Sequence, residues 1–473
     1  MGGRAVTHTA NEIVPDLKLE RVEELRRELR SPEAARLDEI LAQAGEMKGL
    51  HLEEVAALIA VTDPESRARI FAAAREVKQH IYGQRVVLFA PLYASNECSN
   101  NCLYCAFRKD NTELSRRTLT VEEIAEEIRV IEDMGHKRVL LVLGESSRAG
   151  VDYATKAIEA SYATHSGRGE IRRANVNMAP LKAEGFRALK EAGVGTYQCF
   201  QETYHPDQYR YLHPSGPKAD YGYRLGVFDR CFAGGVDDVG MGVLFGLYDW
   251  RYDLLALLSH AEYLDTRYGV GPHTLSFPRI EPAQNAPAAD TVPYPVTDDD
   301  FLLIVAISRL AVPYTGIIMS TRETAEMRRQ LLGLGVSQIS AASRTYPGGY
   351  QDGRANVESA AQFELGDTRP MEEVVRDLCE NGYLPSFCTA CYRVGRTGLH
   401  FMEIAKPGDI QQFCTPNALL TFEEYLLDYA GPETRTVGEQ LIDRMLSELA
   451  PNQRQSAEQR LAEVRAGARD LYL

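Results

Sequence analysis

Residues 86–90 read Val-Val-Leu-Phe-Ala, a charged amphipathic helix capped at Thr120 follows over 121–134, and residues 139–143 read Val-Leu-Leu-Val-Leu. Two short apolar, β-branched runs separated by an amphipathic helix make a β–α–β unit with parallel strands. The alternation then repeats. Further apolar runs stand at 174–178, 196–200, 239–245, 274–277, 317–320 and 338–341. Helical patterns lie between or after them at 186–191, 221–232, 254–268, 298–310, 325–334 and 371–380. Eight β–α units in about 300 residues predict an α/β fold, a closed (β/α)8 barrel of the TIM type rather than an open doubly wound sheet. No G-x-G-x-x-G follows the first run, so the dinucleotide-binding alternative loses its main signature.

Outward from the barrel, residues 1–80 read as an N-terminal helical extension. Helices are expected at 17–30 and 31–43, and Thr62-Asp63-Pro64-Glu65 opens a third with proline in its first turn. The division expected is 1–80, a barrel over 81–382, and a helical extension over 383–473. Two loop-like stretches, 280–296 and 344–370, follow predicted strands and should lie over the catalytic end of the barrel. With 44% hydrophobic and 25% charged residues among 473, the chain is neither disordered nor fibrous. A net charge of −15 argues against a nucleic-acid-binding face. No apolar run approaches the ~18 residues of a membrane span. The stretch Met1 to His8 has no apolar signal core, so a cytoplasmic location is expected.

Nine cysteines, an odd number, in such a chain point to ligands or catalysis rather than a disulfide framework. Cys199 and Cys231 lie in apolar segments and read as small buried hydrophobes. Cys98-Ser-Asn-Asn-Cys102-Leu-Tyr-Cys105 follows the first strand. Three thiolates on one loop can converge on a metal site, and zinc would want a fourth ligand nearby. Three cysteines on a 4Fe–4S cluster leave one iron open, which is what chelation by the amino and carboxylate groups of S-adenosylmethionine requires. The second set is Cys388-Thr-Ala-Cys391 with Cys414 after a further 22 residues. It reads either as a zinc knuckle completed by His400 or as a second Fe–S site, with the small, basic stretch from Arg393 to His400 suited to an anionic thiolate cluster.

The first cysteine run resembles that of the radical S-adenosylmethionine superfamily, over roughly residues 80–390. Other positions match the family's pattern. Gly144-Glu145 looks like the motif that receives the methionyl ammonium, and Glu202 and Arg224 stand where relatives hold the amino and carboxylate ends. Tyr104 and Asn177 join them as cofactor-binding candidates. Gly240 to Gly246 resembles the adenine-binding strand, and its usual terminal acid appears as Asp249, a mild departure from the family's pattern.

The pairing of the two cysteine sets resembles the HydG-type tyrosine lyases of FeFe-hydrogenase maturation, over nearly the whole chain. The 2-iminoacetate synthases of thiamine thiazole formation share the barrel and lack the C-terminal set. The resemblance implies two clusters, a radical 4Fe–4S cluster with S-adenosylmethionine and an auxiliary Fe–S cluster. It also implies L-tyrosine as substrate, p-cresol and dehydroglycine as first products, and carbon monoxide and cyanide for an Fe(CO)(CN) unit. Implied partners are a ferredoxin or flavodoxin type electron donor and other hydrogenase maturases. Arg322, ending the seventh strand, is implied to hold the tyrosine carboxylate, with Ser320 and Ser340 adding hydrogen bonds. The bland reading of Arg322 is a surface cap of the next helix. His273, in Pro272-His273-Thr274, is implied to hold an additional iron bridged by a free cysteine to the second cluster. The competing class is a non-catalytic Fe–S scaffold or carrier, in which a methionyl pocket would have no use.

Overall fold

The structure, a computed structural model, describes residues 13–355, 357 and 359–473; the stretch read for a signal core lies outside them. The eight predicted strands form β1 (Arg85–Ser95), β2 (Arg138–Leu143), β3 (Arg173–Asn177), β4 (Tyr197–Glu202), β5 (Val239–Val243), β6 (Thr274–Ser276), β7 (Gly316–Met319) and β8 (Gln338–Ser340). Every neighbouring pair is parallel, and β1 pairs with both β8 and β2, which closes the barrel. Alternate residues of a strand face one side. Phe89, Pro91 and Tyr93 of β1 accordingly face the interior, as do Leu140 and Val142 of β2.

The length of β1 has a structural consequence. Ala90 to Ser95 pair with Val139 to Leu143 of β2, which leaves Arg85 to Val87 free for a ninth strand, β9 (Leu384–Ser386). Nothing in the sequence pattern announced β9. It is three residues long and contains Pro385, tolerated because β9 ends the sheet. It delivers the chain to Cys388 at the N-terminal mouth of the barrel, while β1 delivers it to Cys98 at the C-terminal mouth.

The N-terminal extension has the three expected helices, Leu19–Arg27, Ala34–Ala44 and Pro64–Tyr82, and a fourth, Leu52–Ile59. Asp63 caps Pro64–Tyr82 by accepting from Ser66 N at 2.8 Å. Beyond β9 come helices Ala390–Arg393, Gly398–Ala405, Ile410–Asp428, Pro432–Glu448 and Pro451–Arg465. The helix Ile410–Asp428 packs on β9, β1 and Pro64–Tyr82, so both extensions meet under the barrel. Buried apolar residues from Leu17 to Val464 form one continuous core. Cys199 and Cys231 are 2% and 0% exposed within it, the small hydrophobes expected. Among the described residues no helix is long and apolar enough to cross a membrane.

Candidate active site and second thiol centre

At the C-terminal ends of the strands lies a cavity of about 220 Å³, lined by Cys98, Cys102 and Cys105. The loop carrying them is held open by its neighbours. Asn100 Nδ2 donates to Glu145 Oε2 at 2.6 Å and reaches Cys98 Sγ at 3.7 Å. Gln362 Nε2, from the loop predicted over this end, donates to Cys105 Sγ at 3.5 Å. Burial pushes the Cys102 thiol up to about 12 and raises that of Cys105. A bound metal would displace these protons, because the thiolate is the ligating form.

The other expected residues line the same cavity: Tyr104, Gly144, Glu145, Asn177, Glu202, Arg224, Ser320, Arg322 and Ser340. A Cβ on Gly144 would lie 2.3 Å from the Glu97 carbonyl oxygen, so the chain at the end of β2 can pass there only as glycine. Glu202 sits at a bulge of β4 with φ of 72°, a strained backbone for a residue with a side chain. Arg224 Nε donates to the Phe200 carbonyl at 2.6 Å, which aims its outer nitrogens at Glu202. Tyr104 is fixed by a 2.8 Å bond between its hydroxyl and His213 Nε2.

Arg322 is not a surface cap. Its guanidinium lies over the Phe363 ring inside the cavity, with no hydrogen bond or ion pair among the described residues. Burial lowers its pKa, against the opposing charges of Tyr93 and Glu281. Ser320 Oγ accepts from Arg322 N and Ser340 Oγ from Thr321 N, leaving both hydroxyl hydrogens for a ligand. Asp249 departs from expectation. It caps helix Trp250–Tyr268 and pairs with Arg26 at 3.2 Å, away from the cavity.

The sequence reading passed over Lys218, which lines the cavity with its Nζ 2.6 Å from Glu202 Oε1. No periodicity or motif marks it, because it stands in the short turn Pro217–Ala219.

The second set gathers at the opposite mouth. Cys391 and Cys414 share a hydrogen bond between their thiols, which lowers the pKa of Cys414 with help from Arg85, Arg396 and Arg138. Arg138 Nη2 donates to the Cys388 carbonyl at 3.0 Å. Arg85 and Arg138 are 9% and 6% exposed and form no ion pair among the described residues; Arg85 Nε and Arg396 Nη1 are buried without a hydrogen-bond partner. Buried, unpaired guanidiniums around three thiols call for an anionic occupant, and a thiolate-ligated Fe–S cluster has that charge.

His273 stands beside this set, with Nε2 3.4 Å from the Tyr392 hydroxyl and Nδ1 3.7 Å from Asp238 Oδ2. Burial lowers its pKa, so it is a neutral imidazole fit to be a ligand. Arg173 stacks on Tyr392 and pairs with Asp238 at 3.1 Å. His400 is exposed and lines a groove with Asp237 and Leu399, apart from the thiols. Among the described residues no three His, Cys, Asp or Glu converge as one metal ion requires. His400, the fourth ligand expected of a zinc knuckle, does not stand with the three thiols. A four-iron cluster has a different demand, since each of its thiolates takes a separate iron.

Residues 92–258 match the model of the radical SAM superfamily, and residues 276–384 match that of the biotin and thiamin synthesis associated domain. The chain is 33% identical over 315 residues to the 2-iminoacetate synthase of Escherichia coli (strain K12), covering 66% of this chain and 80% of that protein. A crystal structure of HydG, a maturase of the FeFe-hydrogenase, superposes with a TM-score of 0.92 at 45% identity, covering 97% of this chain and 99% of the other. HydG from Carboxydothermus hydrogenoformans superposes with a TM-score of 0.81 at 40% identity, covering 96% and 100%.

Proposed function

The chain belongs to the radical S-adenosylmethionine superfamily, in its HydG group of hydrogenase maturases, and from this we propose that it is a tyrosine lyase with two catalytic stages. In the first, the Cα–Cβ bond of L-tyrosine is cleaved to p-cresol and dehydroglycine. In the second, carbon monoxide and cyanide are made at an auxiliary Fe–S cluster for an Fe(CO)(CN) unit of the hydrogenase. The observation that carries the reading is a set of three cysteines at each mouth of one closed barrel.

Cys98, Cys102 and Cys105 would hold the first cluster, with Glu145, Glu202 and Arg224 taking the charged ends of the methionyl group and Asn177 and Tyr104 lining its pocket. Bound there, the 4Fe–4S cluster and S-adenosylmethionine supply a 5′-deoxyadenosyl radical. Among the described residues of the cavity, Arg322 is the cation without an ion pair, and it suits the tyrosine carboxylate, with Ser320 and Ser340 donating beside it. Such fixed contacts hold the substrate amine toward the radical and convert an encounter into a positioned reaction. Phe89, Leu140 and Ile318 pack together in the barrel interior and keep bulk water from this stage. Cys388, Cys391, Cys414 and His273 would hold the auxiliary cluster and its additional iron.

Likeness to the 2-iminoacetate synthases supports the first stage; the second thiol centre favours the two-stage reading. A ferredoxin or flavodoxin type protein would supply the electron, and other maturases would receive the product. The test is anaerobic incubation of the reconstituted protein with S-adenosylmethionine, dithionite and tyrosine. 5′-Deoxyadenosine, p-cresol, carbon monoxide and cyanide are expected together. Release of p-cresol and glyoxylate alone would identify a 2-iminoacetate synthase, and no 5′-deoxyadenosine at all a carrier.

A further inference from the structure

Residues 214–219, Pro-Ser-Gly-Pro-Lys-Ala, are zipped onto the cysteine loop by their backbone. Asn101 N donates to Ser215 O at 3.1 Å, and Leu103 N to Leu212 O at 3.0 Å. Gly216 has φ of 97°, and a Cβ there would lie 2.4 Å from Asn100 Oδ1, so only glycine lets the two loops close. Lys218 N then donates to Asn100 Oδ1 at 2.8 Å. The same Asn100 amide donates through Nδ2 to Glu145 and reaches Cys98 Sγ. One residue thus joins the cysteine loop, Glu145 and the turn that carries Lys218.

From that turn the Lys218 ammonium points into the cavity and meets Glu202 Oε1 at 2.6 Å. Arg224 Nη2 approaches the same oxygen at 3.7 Å. The second oxygen, Oε2, accepts no hydrogen bond among the described residues. A carboxylate anchored through one oxygen has a fixed direction for the other. Without Lys218, only the longer Arg224 contact would restrain it.

On the cofactor site read above, we propose that Lys218 is a positioning residue that pins Glu202 Oε1 and so presents Oε2 to the α-ammonium group of S-adenosylmethionine. The pin is anchored through Asn100 to the loop that carries the cluster cysteines, so cofactor affinity is tied to the order of that loop. The Lys218 side chain is 12% exposed and that of Glu202 11%, so the pair is shielded from bulk water and its loss should be felt.

The test compares Lys218→Met, which keeps the length and removes the charge, with Lys218→Arg, which keeps the charge. Binding of S-adenosylmethionine and of 5′-methylthioadenosine, which lacks the amino acid moiety, is measured anaerobically by calorimetry on the reconstituted protein. Lys218→Met should weaken S-adenosylmethionine about tenfold or more, in line with loss of a shielded charge pair. Methylthioadenosine binding should stay within about twofold, and Lys218→Arg should bind both as the parent does within about threefold. Four results would overturn the assignment: unchanged affinity in Lys218→Met, equal losses for both compounds, an arginine variant as poor as methionine, or loss of cluster iron from either variant. A parent protein that bound neither compound would sink the cofactor site itself.

Discussion

The Arg322 guanidinium lies over the ring of Phe363, 3.3 Å from its centroid, and makes no ion pair among the described residues. The aromatic face holds the cation in place without satisfying its hydrogen-bond donors. Phe363 comes from the loop over the cavity and Arg322 from the end of β7, so the pair also closes the loop onto the barrel. Arg322→Ala should raise the tyrosine requirement by about two orders of magnitude, the scale of a truncated buried charge contact. Binding of S-adenosylmethionine should hardly change. Arg322→Lys should recover little, because a point charge cannot replace a bidentate donor. Saturation curves for p-cresol formation against tyrosine decide this; equal weakening for both compounds would place the arginine elsewhere.

Replacing Cys98, Cys102 and Cys105 together with alanine should abolish 5′-deoxyadenosine formation and leave the electron paramagnetic resonance of the second cluster intact. The two sets stand at opposite mouths, and each has its own buried cations or donors. A triple variant that still cleaved S-adenosylmethionine would remove the radical cluster from this loop.

Glu132 provides a pH prediction about stability. It is fully buried in helix Val121–Asp133, and the nearby backbone amides of Ser166 and Ile171 only partly offset that burial. Burial pushes its pKa from 4.5 up to about 7. Between those values the folded chain keeps a proton that the unfolded chain has lost, so stability falls as pH rises from 4.5 to 7. Glu132→Gln should therefore match the parent near pH 5 and exceed it at pH 8, by on the order of 2 kcal/mol. Thermal midpoints of the two proteins across that range check the sign; a gap that closed toward high pH would refute it.

The barrel was legible because each of its eight strands is an apolar run next to an amphipathic helix, and both signals are local. The ninth strand was not, since Leu384-Pro385-Ser386 has neither length nor alternation and exists only because β1 outreaches β2. The cavity residues at strand ends, such as Arg322 and Glu202, could be placed by counting strands. Lys218 could not, because it reaches the cavity through a turn whose position depends on Asn100, more than a hundred residues earlier in the chain. Asp249 shows the converse: it follows the adenine-like run in sequence, already departing from the family's pattern, and helix capping with an Arg26 ion pair takes it out of the cavity. Arg85 and Arg138 begin strands, and nothing in their sequence context marks them. They become buried cations beside a thiol set only when the C-terminal chain brings its three cysteines beneath them.

The two mouths of the barrel should be separable by mutation. Cys388, Cys391, Cys414 and His273 lie at the end of the barrel away from Arg322 and the first cysteine loop, so they should matter only after tyrosine has been cleaved. Tyrosine would still be held, and breaking its Cα–Cβ bond needs no second metal. Making carbon monoxide and cyanide does need one, because a metal must accept both. Cys388→Ser combined with Cys391→Ser should therefore keep p-cresol formation within about tenfold of the parent, at the mild end of the ~10–100-fold losses that disturbed metal shells cause. Carbon monoxide and cyanide should disappear, and glyoxylate should accumulate from hydrolysis of the stranded fragment. His273→Ala should retain p-cresol and reduce both diatomic products. The structure also offers a control for folding. Arg85→Met leaves all three thiols in place and removes one buried cation, so it should lower auxiliary iron while p-cresol persists. If p-cresol stopped as completely as carbon monoxide in every one of these variants, the division of labour between the mouths would be refuted. The C-terminal thiols would then be holding the barrel together, through the helix Ile410–Asp428 that packs against β1 and β9.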